Sequence, residues 1–165
     1  MYNYEGTGKT LFKAAKFNER RRAQKFFIQS ARTHLIPLIN AKTGVIAIPS
    51  RYKFLFKLLK VCVPKEQLFS DVLQIKQKPF SKVANKTLSA AGRYARVYEN
   101  LQWNTLSWRK QKFERYLLCD DVSTSGATLE RAAYLLKAHL DLKDEQILFW
   151  ALMYRPRLPL EETTS

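Results

Sequence analysis

The sequence predicts an α/β fold in which a parallel sheet is flanked by helices, and three observations lead there. Residues 116–119, Tyr-Leu-Leu-Cys, form an apolar run without alternation, as in a strand covered on both faces. That run passes through Asp120 and Asp121 into a hydroxyl- and glycine-rich turn. The turn leads to a stripe of Leu129, Ala132, Ala133, Leu136 and Leu140 at helical spacing. Finally, apolar runs and helical stripes alternate along most of the chain, the pattern of strands joined by helical crossovers.

Size and composition narrow the class. A chain of 165 residues with 46% hydrophobic content predicts one folded domain over residues 1–165. The longest apolar run, residues 147–154, is far shorter than the ~20 residues that span a bilayer. The opening MYNYEGTGKT lacks the apolar segment of a signal peptide. Cys62 and Cys119 lie far apart, with no CxxC spacing, which argues against a zinc site or a disulfide framework. A cytoplasmic protein without a membrane span is therefore expected, with Cys119 packed inside its strand.

Charge is unevenly spread. Residues 1–98 carry 20 Lys/Arg against 4 Asp/Glu, whereas residues 99–165 carry 9 against 10, for a whole-chain net of +15. A basic half of this strength suits a polyanionic partner, either nucleic acid, a phosphorylated substrate or an anionic membrane surface. The competing reading is that many of these lysines serve solubility alone.

Taken in order, residues 5–10 spell EGTGKT but lack the earlier glycine of a Walker A loop, since Asn3 stands in its place, and no strand precedes them. Gly6 and Gly8 are expected to form a turn before a helix over 9–17. Asn18 is a candidate cap for a second helix toward residue 36, with Ala23, Phe26, Phe27, Ala31 and Leu35 as its buried stripe. Arg20, Arg21 and Arg22 fall in its first turn, where the helix dipole disfavours cations. They are either a solvated basic face or nucleic-acid contacts. Thr43-Gly44 reads as a turn, 45–48 as a strand ended by Pro49, and 52–63 as a helix ended by Pro64. Residues 68–75 form a candidate strand weakened by Ser70 and Asp71.

Residues 77–86, QKPFSKVANK, read as a long basic loop. A helix over 88–97 follows. Phe80, Tyr94 and Tyr98 are interleaved with cations, a mixture that can stack bases or simply pack. Residues 100–111, with Trp103 and Trp108, connect to the central strand. Residues 146–154 are the last strand, and the tail beyond 156 is polar. His34 and His139 show no metal partner in the sequence.

The stretch 120–128 carries the most chemistry. Ligands of open α/β sheets lie at the carboxyl ends of the strands, and a helix start offers unpaired N–H groups to an anion. Ser123, Thr124, Ser125, Gly126, Ala127 and Thr128 can therefore cradle a phosphate, with Gly126 permitting close backbone approach. Asp120 and Asp121 are unsuited to phosphate but suited to sugar hydroxyls or to the waters of Mg²⁺. The simpler alternative is a strand–turn–helix in which the aspartates only cap the helix.

Four apolar residues, two acids and a hydroxyl-rich loop closed by Gly-x-Thr resemble the phosphoribosyl pyrophosphate motif of type I phosphoribosyltransferases. More narrowly, Tyr4-Glu5-Gly6, Lys16-Phe17, the strand 46–49 and Leu88-Ser89 with Arg93 resemble the ComF branch of competence-associated proteins. The branch's N-terminal zinc ribbon and its Gly-Phe-Asn-Gln segment are absent, and Asn85 stands where it has a glutamine.

The resemblance implies a type I phosphoribosyltransferase-like sheet and a phosphoribosyl pyrophosphate site with Mg²⁺ as cofactor. Residues 123–128 would take the 5′-phosphate. Asp120 and Asp121 would be the catalytic acids, holding ribose hydroxyls and, through water, the metal. Ser50 and Arg51 would meet pyrophosphate, and Lys82, Lys86 or Arg93 would close over it. Pyrophosphate leaves C1 of the ribose as positive charge develops on the sugar, so cations on the leaving group and a dry site supply the stabilisation. The implied role is a transferase linked to DNA uptake. The alternative is a non-catalytic phosphoribosyl pyrophosphate sensor that holds single-stranded DNA on Arg20, Arg21 and Arg22 and meets competence-machinery proteins.

Overall fold

The computed structural model describes residues 2–3, 5–50, 52–76, 90–108 and 112–154, with backbone alone at 2, 3, 90 and 93. Its centre is a five-stranded, all-parallel sheet in the order β1-β7-β6-β2-β3. These strands are β1 (Tyr2–Asn3), β2 (Thr43–Ala47), β3 (Leu68–Phe69), β6 (Arg115–Ser123) and β7 (Ile147–Tyr154). Two short strands, β4 (Leu73–Ile75) and β5 (Leu101–Trp103), pair antiparallel beside it. The α/β parallel-sheet expectation is met.

Helices cover both faces. On one, α1 (Gly6–Lys16), α2 (Arg21–Leu35) and α3 (Phe54–Cys62) surround a core of Phe12, Phe27 and Phe54. The three rings meet edge to face at centroid separations of 5.9–6.1 Å, an arrangement that aromatic quadrupoles favour. On the other face, α5 (Ala127–Leu140) buries Leu129, Ala132, Ala133 and Leu136 against Tyr116 and Leu118, and α4 (Ala90–Asn100) packs alongside. Strand β6 alternates between the two cores, with Leu117 and Cys119 facing α1–α3 and Tyr116 and Leu118 facing α5. Cys119 is fully buried, as expected of a packing residue.

Several boundaries differ from expectation. Helix α1 starts at Gly6, three residues before the expected start, so Gly6 and Gly8 lie within its first turn. Asn18 does not cap α2. That helix starts after Arg20, with no side-chain cap bond. The chain reverses at Glu19, in the left-handed region at φ 49°, where its carboxylate meets Lys57 at 2.7 Å. The amide of Arg20 and the side-chain amide of Gln24 then serve the carbonyls of Ala14 and Ala15 at the end of α1. Phe26, expected in the buried stripe, is largely exposed.

Thr43 and Gly44 are not a turn but the start of β2, paired with Arg115 and Tyr116. Glycine is required there by close approach. A Cβ on Gly44 would lie 2.8 Å from the Tyr116 ring and 2.9 Å from that of Phe113. The strand expected over 68–75 is two strands in two different sheets, broken at Ser70–Val72. A strand missing from the sequence reading, β5, lies in the connection that holds Trp103. Residues 77–86 and the polar tail fall outside the described residues. Among the described residues, no helix is long and apolar enough to cross a membrane.

Candidate functional site

Strand β6 does not stop at the two acids. It runs through them to Ser123, with Asp120 paired to Ala151 and Ser123 to Tyr154. Pairing with β7 on either side of Asp121 carries the strand through this part of the motif. The strand's alternation then sends Asp120 and Asp121 to opposite faces of the sheet, so they do not form one chelating pair.

Asp121 turns toward α1. It is 5% exposed, and its Oδ2 lies 2.5 Å from Nζ of Lys16 and 3.4 Å from Oγ of Ser50. Ser50 follows the carboxyl end of β2, the strand beside β6, and its Oγ also accepts the N–H of Tyr52. Lys16 is nearly buried. Its ammonium stands over the rings of Phe12, Phe17 and Tyr52 at 5.5–5.8 Å from their centroids. The Phe17 and Tyr52 rings close on each other edge to face at 4.7 Å. One helix and the ends of two adjacent strands thus meet in a carboxylate–ammonium–hydroxyl cluster, its ion pair largely buried and its hydroxyl on exposed Ser50.

Lys16 was not among the candidate site residues drawn from the sequence. A signal was present. Phe12, Ala15 and Lys16 fall at i, i+3 and i+4, which puts a lysine on the buried stripe of an amphipathic helix.

Asp120 is partly buried, and its Oδ1 accepts the N–H of Asp121 at 2.7 Å. Burial, and secondarily the charge of Asp121, pushes its pKa up to about 7. A carboxylate held this way gains from a cation beside it. Mg²⁺ ordinarily takes one or two carboxylates and completes its shell with water and substrate phosphates. Asp120 fits that use. Asp121, engaged by Lys16 on the opposite face, does not share it. No group of three or more His, Cys, Asp or Glu side chains suited to a metal occurs among the described residues.

The turn at residues 124–126 leads into α5, a helix of 14 residues. Gly126 is its N-cap in the left-handed region at φ 79°, a conformation that side chains disfavour. Ser123 and Ala127 are buried, Ser125 and Thr128 are partly open, and Thr124 is exposed. The Ala127 N–H donates to Ser125 Oγ at 3.4 Å. Glu130 lies in the first turn of α5, where a carboxylate gains from the dipole and competes with any other anion.

Arg20, Arg21 and Arg22 are exposed around the start of α2, a helix that contains no acid. Arg93 lies on α4 with its side chain undescribed, and Arg51, Lys82 and Lys86 fall outside the described residues. The structure thus brings together Ser50, Asp121 and Lys16 and sets Asp120 and the 123–128 turn at the same end of the sheet. No protein-family model matches the chain, and no curated protein matches it.

Proposed function

We propose that the protein binds phosphoribosyl pyrophosphate with Mg²⁺ at the carboxyl ends of β2 and β6, in a type I phosphoribosyltransferase-like fold. The observation that carries the reading is the junction of β6 with α5. A strand ending in Asp120-Asp121 leads directly into a left-handed Gly126 and the open start of a long helix. The 5′-phosphate would lie against Ser123–Thr128, with the ribose hydroxyls toward Asp120. Ser50 and Lys16 line the neighbouring strand end, where the pyrophosphate would leave. Mg²⁺ would supply positive charge to that leaving group, and Asp120 would be its protein ligand. Lys16 and Ser50 fix Asp121, so this part of the site is formed before a ligand arrives.

A transferase acting on a base, an amine or another nucleophile is the leading role, tied through the ComF resemblance to DNA uptake. A second reading rests on a separate observation. Helices α1, α2 and α3, which cover one face of the sheet, contain nine Lys/Arg residues and no Asp or Glu. A non-catalytic sensor that holds single-stranded DNA on this face would use the same phosphoribosyl pocket.

Calorimetry with phosphoribosyl pyrophosphate, with and without Mg²⁺, tests the first reading. Asp120→Asn is expected to weaken binding mainly when Mg²⁺ is present. Equal affinities for wild type and variant, both folded, would remove Asp120 from the site. Pyrophosphate release with candidate acceptors then separates transferase from sensor.

A further inference from the structure

The opposite end of the sheet holds a concavity. A cavity of about 470 Å³ opens between the start of β6 and the end of α5. This is within the usual size range of small-molecule pockets. Its walls are aromatic, formed by Trp108, Phe113, Tyr116 and His139. The rings are braced. Trp108 stacks on Phe69 at 5.2 Å, Tyr116 accepts the Phe113 amide at 3.1 Å, and His139 lies nearly parallel to Trp103 at 4.9 Å. Gly44 completes the arrangement, because any side chain there would collide with the Tyr116 and Phe113 rings.

The polar lining is of mixed sign. Lys112 supplies a cation, while Asp141 supplies a carboxylate at the C-terminal end of α5, where the last helical carbonyls add negative character. A simple anion would face Asp141 and those carbonyls. A simple cation would face Lys112 and a chain of net charge +15. A flat, neutral ring that carries both N–H donors and ring acceptors satisfies the walls and both charges.

We propose that this cavity binds a purine base or nucleoside, held in contact with Trp108 and His139 with its donors toward Asp141 and its acceptors toward Lys112. It is not the acceptor pocket of the candidate phosphoribosyl site. Tyr116 and Asp121 lie five residues apart on one strand, a separation of roughly 17 Å at strand rise.

Equilibrium dialysis of the full chain with labelled guanosine and adenosine, without phosphoribosyl pyrophosphate or Mg²⁺, tests this independently of the first site. Saturable uptake of at least one nucleoside below about 1 mM is expected. Asp141→Asn keeps a residue tolerant of the left-handed backbone at φ 52°. It or Lys112→Ala should weaken uptake by about fivefold or more, the size of a typical lost hydrogen bond. Both side chains are exposed, so the fold should survive, as circular dichroism would verify. Absence of saturable uptake of either nucleoside overturns the proposal. So does a loss smaller than about fivefold in both variants, or uptake abolished by Asp120→Asn.

Discussion

Lys16 and Asp121 form the pair on which the candidate site turns, and its energetics are those of buried charges. Each ion has lost most of its water, and each is tolerable only because the other is present. Lys16→Met is therefore expected to cost about 3–5 kcal/mol, by leaving Asp121 as an uncompensated buried carboxylate. Adding Asp121→Asn to that variant should recover a large part of the loss. Urea denaturation of the two variants checks both statements. A loss below about 1 kcal/mol would put the pair among exposed ion pairs. Asp120 obeys a different logic. Its folded pKa of about 7 lies above the unfolded carboxylate value of about 3.9. Between those values the folded state binds more protons, so this group's contribution to stability falls as pH rises and levels off above about 7. In chelator-treated, metal-free protein, Asp120→Asn should gain stability relative to wild type at pH 8 and lose that advantage near pH 4. An advantage greater at pH 4 than at pH 8 would contradict burial as the cause.

Element boundaries were decided by contacts between elements. The motif strand gains four residues beyond its apolar run because β7 supplies hydrogen-bond partners through Ser123, so pairing outweighs the polar character of Asp120 and Asp121. The run 68–75 loses its continuity for the converse reason. Its first part pairs with β2 and its last with β5, and one straight strand cannot reach both partners. Gly44 shows how far a local reading can mislead, since Thr-Gly signals a turn and here opens a buried strand under two rings. Gly44→Ala should destabilise the protein by about 1–3 kcal/mol through overpacking. Phe113→Leu in the same chain should return part of that by making room. Thermal unfolding of the single and double variants measures both effects, and a neutral Gly44→Ala would mean that the rings shift without cost.

Across the whole molecule, the sheet separates two unlike surfaces. Helices α1–α3 contain cations and no acids, although Glu19 between α1 and α2 meets Lys57, while α4 and α5 carry both signs, with Glu99 and Glu130 beside Arg96, Arg131 and Lys137. Nine of the 20 basic residues of the N-terminal part thus lie in the helices of one face. Single-stranded DNA is expected to bind that face with affinity falling steeply in salt, at a log–log slope of about −0.7 per phosphate contact. Reversing Arg20, Arg21 and Arg22 to Glu should flatten the slope by about 2 if all three touch phosphate. The triple reversal should also favour folding, since acids suit the start of α2, at about 0.3–1 kcal/mol each. A fall in DNA affinity would then reflect lost contacts rather than an unfolded helix. Affinity that does not change with salt in a filter-binding series would reject the electrostatic face.

The sequence by itself determined the α/β class, the parallel motif strand, the helix after it and the basic N-terminal half. Each of these follows from periodicity, or from a residue type whose local preference agrees with the fold. Tertiary structure alone decided which way each aspartate faces, because that depends on where the strand ends and pairing sets the end. It likewise decided that Asp121 meets Lys16 and Ser50. Those three residues lie far apart in the sequence, and only the packing of α1 against the ends of β2 and β6 brings them within reach. The aromatic cavity at the other end was equally hidden. Its walls come from the connection before β6, the strand itself and the end of α5, and no local pattern records that these segments converge.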